Sequence, residues 1–361
     1  MRPFVLRNDA AGFQRIEAEA RILTTSELKF GGGAPPYADI WARIRGVAGI
    51  VNIPLSKVWD RTLQINLSVP TIEIQTTILS NRGQNASDRT CRFSYPAIGG
   101  FQREQGSVDA RKACLYDRDR LEHRFRLFET FCLPSIANQT DADFTFSILI
   151  GDDLPDGAYS RLDNLTRSIP MIKIVPRAPG VQRLVAADVI NSQRRPEFDL
   201  CAQFRLDDDD AMNVLFVELL RELGPALSAL YPNEPMVGLD FHKGCTATVH
   251  QGEILTSQIV HQYLTCAMAC FVRRDVHQTC MNFKHHKIYN VMPTVSDGRF
   301  SMFIRSLHHA NDSNALANNN GTPFVPPSPE TAEWLHDLFG IDTQKVKEIW
   351  RDFSAGRFAK S

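Results

Sequence analysis

Four consecutive aspartates, Asp207 to Asp210, are the residues of this chain whose types and spacing most clearly indicate chemistry. They follow an apolar segment from Leu200 to Leu206 that predicts a short strand. Adjacent carboxylates repel one another, so a fold that keeps them together needs positive charge nearby. Mg²⁺ and Mn²⁺ prefer carboxylate oxygens and keep coordination positions open for phosphate. The run therefore predicts a divalent cation that holds a phosphorylated substrate; the alternative is a solvated acidic turn that caps a helix beginning near Met212.

Other polar side chains follow predicted strands in the same way. Asp152 and Asp153 come after a predicted strand from Phe144 to Ile150, and Arg92 and Ser94 lie near the end of one that begins at Cys91. Strands and helices alternate from residue 91 to 223, which predicts an α/β fold with a mostly parallel sheet and helices on both faces. In such sheets ligands bind at the carboxyl ends of the strands. The positions of these residues therefore predict a binding site at that edge.

Composition narrows the class of protein. The chain has 361 residues, 43% of them hydrophobic and 22% charged, as in an ordinary globular protein. A formal net charge of −1 gives no reason to expect nucleic-acid binding. No apolar run approaches the ~18 residues of a membrane span. The eight cysteines form no C-x-x-C pair and the first residues lack the apolar run of a secretion signal, so we expect a cytoplasmic protein.

The first part of the chain contains no motif with recognisable chemistry. A breaker cluster lies at residues 31–36, and the polar residues 81–90 are typical of a linker. The predicted organisation is therefore an N-terminal extension or small subdomain of unknown function over residues 1–90, followed by the α/β domain over residues 91–361.

Three separated motifs of the second part resemble those of one family. The motifs Cys91–Phe101, Phe204–Ala211 and Arg305–Ser313 occur in the order found in the bacterial putative rhamnosyltransferase family. The segment Leu133–Phe144, followed by a strand and Gly151-Asp-Asp, also resembles the start of GT-A-type glycosyltransferases. The resemblance covers about residues 91–350, and residues 1–80 precede the point where the family usually begins. It implies a GT-A-like, Rossmann-like fold.

The resemblance also implies an activity and a set of site residues. The activity would be transfer of a sugar, with rhamnose as a candidate, from a nucleotide-sugar donor to a hydroxyl of a glycan or glycolipid acceptor, in the synthesis of a surface polysaccharide or glycoconjugate. Asp207-Asp208-Asp209 resembles the D-x-D motif of such enzymes. The ligands of Mn²⁺ or Mg²⁺ would be Asp207, Asp209, Asp210, His308 and His309. The nucleotide-sugar contacts would be Arg92, Ser94, Asp152, Asp153, Arg183, Arg205 and Asp208.

The acceptor hydroxyl needs a base, and in inverting GT-A enzymes a carboxylate opposite the metal takes its proton. Asp297 resembles the acidic residue that precedes a helix ending in Arg, here Arg305, and Asp240 is the second candidate. The alternative for Asp297 is an N-cap of that helix.

Two other classes of function stay open. A different metal-dependent, phosphate-handling enzyme would use the same aspartates, but a D-x-D-x-[TV] nucleophile motif does not match the residues after Asp209. A non-catalytic module that binds carbohydrate or nucleotide would need no chemistry at all. An EF-hand is excluded because Met212 stands where its loop requires glycine. A lipid-linked acceptor would bring the protein to the inner face of the membrane.

Overall fold

The computed structural model describes residues 41–46, 49–54, 85–99, 107–309 and 323–351. The chain divides into two compact units, Met1–Asn81 and Arg82–Ser361. The strands of the described residues are, in chain order, β1 (Trp41–Gly46), β2 (Gly49–Pro54), β3 (Asn85–Arg92), β4 (Phe144–Gly151), β5 (Ile172–Arg177), β6 (Leu200–Arg205), β7 (Ala211–Met212), β8 (Met236–Phe241), β9 (Lys243–His250), β10 (Glu253–Val260), β11 (Met268–Arg273), β12 (Thr294–Asp297) and β13 (Phe303–Ser306).

The helices of the same residues are α1 (Val108–Leu115), α2 (Arg118–Leu127), α3 (Leu133–Ala137), α4 (Asp156–Thr166), α5 (Gln182–Gln193), α6 (Phe216–Leu230), α7 (Pro329–Phe339) and α8 (Thr343–Trp350). A π-helical turn, Phe128–Cys132, joins α2 to α3. The helical path continues through Pro134, which lies in the first turn of α3.

In the first unit, β1 and β2 pair as an antiparallel two-stranded sheet. The remainder of the predicted N-terminal extension up to residue 84 lies outside the described residues.

The second unit is built on a seven-stranded sheet with the order β12-β8-β11-β6-β3-β4-β5. Only β11 runs antiparallel to its neighbours, and the other neighbouring strands pair in parallel. The predicted α/β, mostly parallel architecture is therefore confirmed. Six of the seven strands end at the same edge, which we call the carboxyl edge.

The sheet is buried on both faces because apolar side chains occupy both alternating sets of positions along its strands. On one face Ile148, Phe204 and Leu239 pack with residues of α2, α4 and α6. On the other face Leu149, Met268 and Cys270 pack with α5 and the segment 280–292. This gives three layers, as predicted.

A second sheet, with the order β10-β9-β13-β7, lies beside the first. Its apolar residues pack with α7 and α8, around Leu335 and Phe339. The chain passes from β6 of the large sheet to β7 of the small one through Asp207–Asp210. The aspartates are therefore held at a crossover between the two sheets.

Two local predictions were wrong, and one pair of strands was missed. The helix expected near Met212 begins at Phe216, because Ala211 and Met212 pair with β13 instead. The predicted linker forms most of β3 from Asn85 onwards, where both edges of the strand find partners in β4 and β6. The hairpin of β9 and β10 was not predicted.

Candidate functional site

The aspartate run is buried rather than solvated. Asp208, Asp209 and Asp210 are 2%, 6% and 4% exposed, and only Asp207 is exposed to solvent. No helix begins at Met212. The alternative of a solvated, helix-capping turn is therefore wrong, and the burial of three carboxylates requires compensating partners.

Arg124 of α2 is the principal partner. Its Nε donates to Asp208 Oδ2 at 3.1 Å, its Nη1 donates to Asp209 Oδ2 at 3.0 Å, and its Nη2 forms an ion pair with Asp208 Oδ1. Such fork-shaped pairing is the strongest that a carboxylate can make with a side chain. Asp208, predicted to contact the nucleotide sugar, is thus bound to Arg124 on both oxygens.

Strand β13 brings a second set of partners. Its pairing with β7 places Ser306 N 3.0 Å from Asp210 Oδ1, and His308 Nε2 lies 2.7 Å from Asp209 Oδ2. The ring centroid of His309 lies 4.9 Å from that of His123, with the two rings tilted by 39°. Of the two predicted histidines, His308 is the one with a contact to an aspartate described here.

The charges around the run shift the pKa values of its members in opposite directions. Burial alone would raise the pKa of Asp209, but Arg124 and His308 outweigh it and lower that pKa. Burial and the neighbouring charge of Asp209 raise the pKa of Asp210 well above the ordinary value. Arg305 of β13 interacts favourably with Asp207, Asp209 and Asp210.

The aspartates fit a divalent cation. One oxygen each of Asp207, Asp209 and Asp210 lies within 4.8 Å of the others. Both contacts of Asp209 described above use Oδ2. When all four carboxylates are ionised, they and the guanidinium groups of Arg124 and Arg305 leave two formal negative charges, which one Mg²⁺ or Mn²⁺ would neutralise, and a bound cation would itself favour the ionised form of Asp210.

The predicted nucleotide contacts on β3 and β4 lie at the carboxyl edge. Ser94, two residues after β3, is buried and has φ = 48°, a conformation that costs a non-glycine residue energy and is frequent at functional sites. Arg120 Nη1 lies 3.5 Å from Ser94 Oγ. Arg92 ends β3 itself.

The turn after β4 is hydrogen-bonded to side chains at the end of α1. Asp153 accepts hydrogen bonds from Tyr116 Oη at 2.9 Å and from Lys112 Nζ at 2.6 Å. Burial opposes the charged form of Asp153, but the contacts with Lys112 and Tyr116 lower its pKa. Asp153 therefore anchors the turn, although both carboxylates of the pair are exposed.

Arg183 and Arg205 lie on different elements, α5 and β6. Arg183 is exposed in the first turn of α5. Arg205 ends β6, and its buried Nε and Nη2 make no hydrogen bond within the described residues. Buried guanidinium nitrogens of this kind call for an anion or ordered water.

Both carboxylates predicted as the base, Asp297 and Asp240, are hydrogen-bonded to other residues of the chain. Asp297 forms a fork with Arg299, with Nε at 2.9 Å and Nη2 at 2.6 Å from Oδ2; burial would raise its pKa, but Arg299 lowers it. Phe303–Ser306 forms a strand, so the helix expected before Arg305 is wrong and Asp297 is no N-cap. Asp240 is fully buried, which raises its pKa, and it accepts hydrogen bonds from Ser296 Oγ and Tyr263 N, each at 2.8 Å.

A cavity of about 780 Å³ opens beside Asp240. It is lined by His242, His261, Tyr263, His286 and Tyr289 among others. None of these residues was expected in the site from the sequence, since single histidines and tyrosines in loops carry no spacing signal. Arg124 was missed for a similar reason, because it is one of several arginines on an amphipathic helix.

Comparison with known proteins gives one family. A family model described as "Putative rhamnosyl transferase" matches residues 89–320. No curated protein matches the chain.

Several solved structures show a remote likeness. A crystal structure of S. aureus TarS 1–349 is 10% identical, with 61% of this chain and 60% of that chain covered and a TM-score of 0.34. The same TarS segment in complex with UDP is 10% identical, with 62% and 60% covered and a TM-score of 0.33. A 4-diphosphocytidyl-2C-methyl-D-erythritol synthase from Anaerococcus prevotii is 10% identical, with 59% and 87% covered and a TM-score of 0.26. The chain thus spans about three fifths of these TarS structures, and TM-scores this low carry no argument about it.

Proposed function

The chain belongs to the putative rhamnosyl transferase family, and from that premise we propose that it transfers a sugar, with rhamnose as the first candidate, from a nucleotide-sugar donor to a hydroxyl acceptor. The observation that carries the proposal is the buried aspartate run at the carboxyl edge, where Asp207, Asp209 and Asp210 converge within 4.8 Å. Carboxylates so close together at the ligand-binding edge of an α/β sheet suit a cation that binds phosphate.

In this proposal Asp207 and Asp209 hold Mn²⁺ or Mg²⁺, with Asp210 beside them. The cation would neutralise charge on the diphosphate leaving group, as Lewis acids do in phosphate chemistry. Arg124 and His308 orient Asp209 through its Oδ2. His309, whose ring lies beside that of His123, is assigned no ligand role.

The nucleotide would lie along the carboxyl edge from β6 to β5. Arg205 supplies buried guanidinium nitrogens that make no hydrogen bond within the described residues, so a phosphate oxygen would satisfy them. Arg183, at the start of α5, would also meet the diphosphate. Asp152 would contact the base or ribose, with Arg92 and Ser94 beneath the nucleoside.

The acceptor in this proposal is a glycan or a glycolipid of a surface polysaccharide or glycoconjugate. None of the described helices is long and apolar enough to cross a membrane. In this proposal the reaction takes place in the cytoplasm, with a lipid-linked acceptor presented at the inner face of the membrane.

A thermal-shift screen tests the proposal. The full chain is heated with UDP, GDP, dTDP or CMP, each with and without Mn²⁺, because a ligand of the folded state must raise the melting temperature. We expect one nucleotide to give a Mn²⁺-dependent rise of several degrees that Asp207→Asn abolishes. Asp275→Asn is the matched control, since Asp275 is exposed in the turn that follows β11 at the opposite edge.

No rise with any nucleotide, in a chain that unfolds cooperatively, would contradict the proposal. A rise that persists in Asp207→Asn would contradict the assignment of the cation site.

A further inference from the structure

A hydrogen-bonded chain of three side chains ends at the cavity, and His242 is the member of the chain that lines it. Ser296 Oγ donates to Asp240 Oδ2 at 2.8 Å, and His242 Nδ1 lies 2.8 Å from Ser296 Oγ. The hydroxyl of Ser296 has one proton, which it gives to Asp240, so its oxygen must accept from His242. The proton of a neutral His242 is thereby fixed on Nδ1. Its Nε2 keeps the lone pair and can accept a proton.

His242 is also fixed in position by its neighbours. Its backbone N donates to the Asp297 carbonyl oxygen at 3.2 Å. Its imidazole ring lies over Gly298, where an added Cβ would overlap with Nε2 and come within 2.7 Å of Cε1. Any larger residue at 298 would therefore displace the ring. The imidazole is held both by the Ser296–Asp240 pair and by the space that Gly298 leaves.

Tyr263 links this chain to the wall of the cavity. It has φ = 60°, a conformation that is a genuine outlier for a bulky residue and is found chiefly at functional sites. Asp240 Oδ1 accepts from Tyr263 N at 2.8 Å, and His285 Nδ1 donates to the Tyr263 carbonyl oxygen at 2.6 Å. Both peptide groups of the strained residue are thus clamped.

The chemistry of the lining suits an uncharged, hydroxylated ligand. Tyr263 and Tyr289 stack with ring centroids 5.0 Å apart, and Tyr289 is 53% exposed. His261, Gln262 and His286 add hydrogen-bonding groups. No Asp, Glu, Lys or Arg of the described residues lines the cavity. Aromatic faces with neutral polar groups between them fit the alternating apolar and hydroxyl surfaces of a sugar.

The strand register places Asp240, whose backbone partner Tyr263 lines the cavity, near the end of β6 that precedes the aspartate run. Asp240 is level with Met268 of β11, and Ala269 is level with Phe204 of β6, so Asp240 and Arg205 lie two strand spacings apart, roughly 10 Å. His285, which clamps Tyr263, is close enough to Arg205 and Asp207 for both to influence its pKa, which burial lowers. A donor sugar between the aspartates and this cavity would meet both.

We propose that the cavity binds the sugar acceptor and that His242 is the base of the transfer, an inference that rests on the proposed function. The acceptor oxygen forms a bond to the anomeric carbon of the donor, and the bond from that carbon to the phosphate oxygen breaks. The nucleoside diphosphate leaves with the electron pair, and the acceptor proton moves to His242 Nε2. Ser296 and Asp240 are positioning residues that orient His242 and stabilise its protonated form. This replaces a direct role of the Asp240 or Asp297 carboxylate in taking the proton.

The test measures release of nucleoside diphosphate from the nucleotide sugar, with water as the acceptor, so that no natural acceptor is needed. We expect His242→Ala to lower kcat about 100-fold, as loss of a general base does, while KM for the donor and the nucleotide-induced melting shift stay unchanged. Added imidazole should restore part of kcat, which would not happen if His242 were only structural. His277→Ala, in an exposed turn after β11, is the control.

Substitutions of Ser296 give an independent test, because this side chain is exposed and its removal leaves the core intact. Ser296→Ala should lower kcat about 10-fold with an unchanged KM, and Ser296→Thr, which keeps the hydroxyl, should restore it. If His242→Ala does not fold, the Ser296 pair decides alone.

Two results would overturn the inference. Unchanged kcat in His242→Ala and in Ser296→Ala, with nucleotide binding intact, would remove His242 as the base and leave the proposed function standing. Absence of nucleotide binding and of diphosphate release in the unaltered protein would remove the proposed function, and this inference with it.

Discussion

Arg124 offsets the negative charge of two of the buried aspartates. It is 13% exposed and pairs with Asp208 and Asp209, whose own side chains are 2% and 9% exposed. Removing one partner of a buried ion pair leaves an uncompensated charge. We therefore expect Arg124→Met to lower the free energy of unfolding by about 3 kcal/mol. Urea unfolding at pH 7 measures the change.

The control for Arg124 is an exposed pair of the same chemistry. Arg274 Nη2 lies 3.2 Å from Asp199 Oδ1, and both side chains are more than half exposed. Arg274→Met should change the free energy of unfolding by less than about 0.5 kcal/mol. Equal effects of the two substitutions would mean that the aspartates do not depend on Arg124.

Asp141 gives a prediction about pH. Burial would raise its pKa, but Arg221, whose Nε lies 2.5 Å from Oδ2, and the backbone N of Asp143 lower it. A carboxyl with a lower pKa in the folded chain contributes stability that is complete above its ordinary value of 3.8 and is lost as pH falls through the folded pKa. Asp141→Asn should therefore lower the free energy of unfolding by about 1 kcal/mol at pH 7, and by progressively less below pH 3.8.

Unfolding by urea at several pH values measures this difference. Asp188→Asn is the control, because Asp188 is 73% exposed and 4.0 Å from Arg177. A difference for Asp141→Asn that stays constant from pH 7 to pH 3 would contradict the assignment of the pair.

At the scale of residues, sequence reasoning located carboxylates better than their partners. The rule that ligands gather at the carboxyl ends of strands was enough to place Asp152 and Asp207 at one edge. The same rule did not predict Arg124, which lies 84 positions from Asp208. Nor did it predict His242, whose partners Ser296 and Asp240 come from two different strands. Partners of this kind are set by helix packing and strand order, which no local spacing encodes.

At the scale of elements, the packing of the turn after β4 against the end of α1 depends on Gly151. A Cβ at Gly151 would overlap with Tyr116 Oη and come within 3.0 Å of Pro96. Gly151→Ala should therefore push away Tyr116, free Asp153 from its anchor, and lower the free energy of unfolding by about 1–3 kcal/mol. The nucleotide-induced melting shift should fall as well, because Asp152 sits in this turn.

Gly157 is the matched glycine. It lies in α4, and nothing stands within 4 Å of an added Cβ. Gly157→Ala should stabilise the fold slightly, since alanine favours helix more than glycine does. Equal effects of Gly151→Ala and Gly157→Ala on the free energy of unfolding would mean that the close approach of Tyr116 to Gly151 does not contribute to stability.

The elements themselves were predictable where the chain alternates strand and helix, from β4 to β6, because each segment there has one clear period. Prediction failed where pairing between distant segments decides the structure. Ala211 and Met212 join a sheet because β13 arrives from residue 303 onwards, and a two-residue strand has no period of its own. The same long-range pairing turned the helix expected before Arg305 into a strand.

At the scale of the molecule, the two compact units predict where the chain can be shortened. β3 begins at Asn85 and is paired on both sides, by β4 and β6. Removal of residues 1–81 should therefore leave a chain that unfolds cooperatively and keeps its nucleotide-induced melting shift. Removal of residues 1–90 takes away most of a central strand and should abolish folding. Circular dichroism and thermal melting of the two shortened chains measure this, and similar behaviour of both would contradict the boundary at residue 81.

The central claim is that the aspartate run serves the transfer of a sugar from a nucleotide donor. The most direct measurement is release of nucleoside diphosphate, in the presence of Mn²⁺, from the nucleotide sugar whose diphosphate gives the melting shift. We expect release well above the uncatalysed rate for the unaltered protein and for Asp275→Asn, and a loss of at least about 100-fold for Asp207→Asn. Tight nucleotide binding with no release would contradict the account and identify a binding module instead.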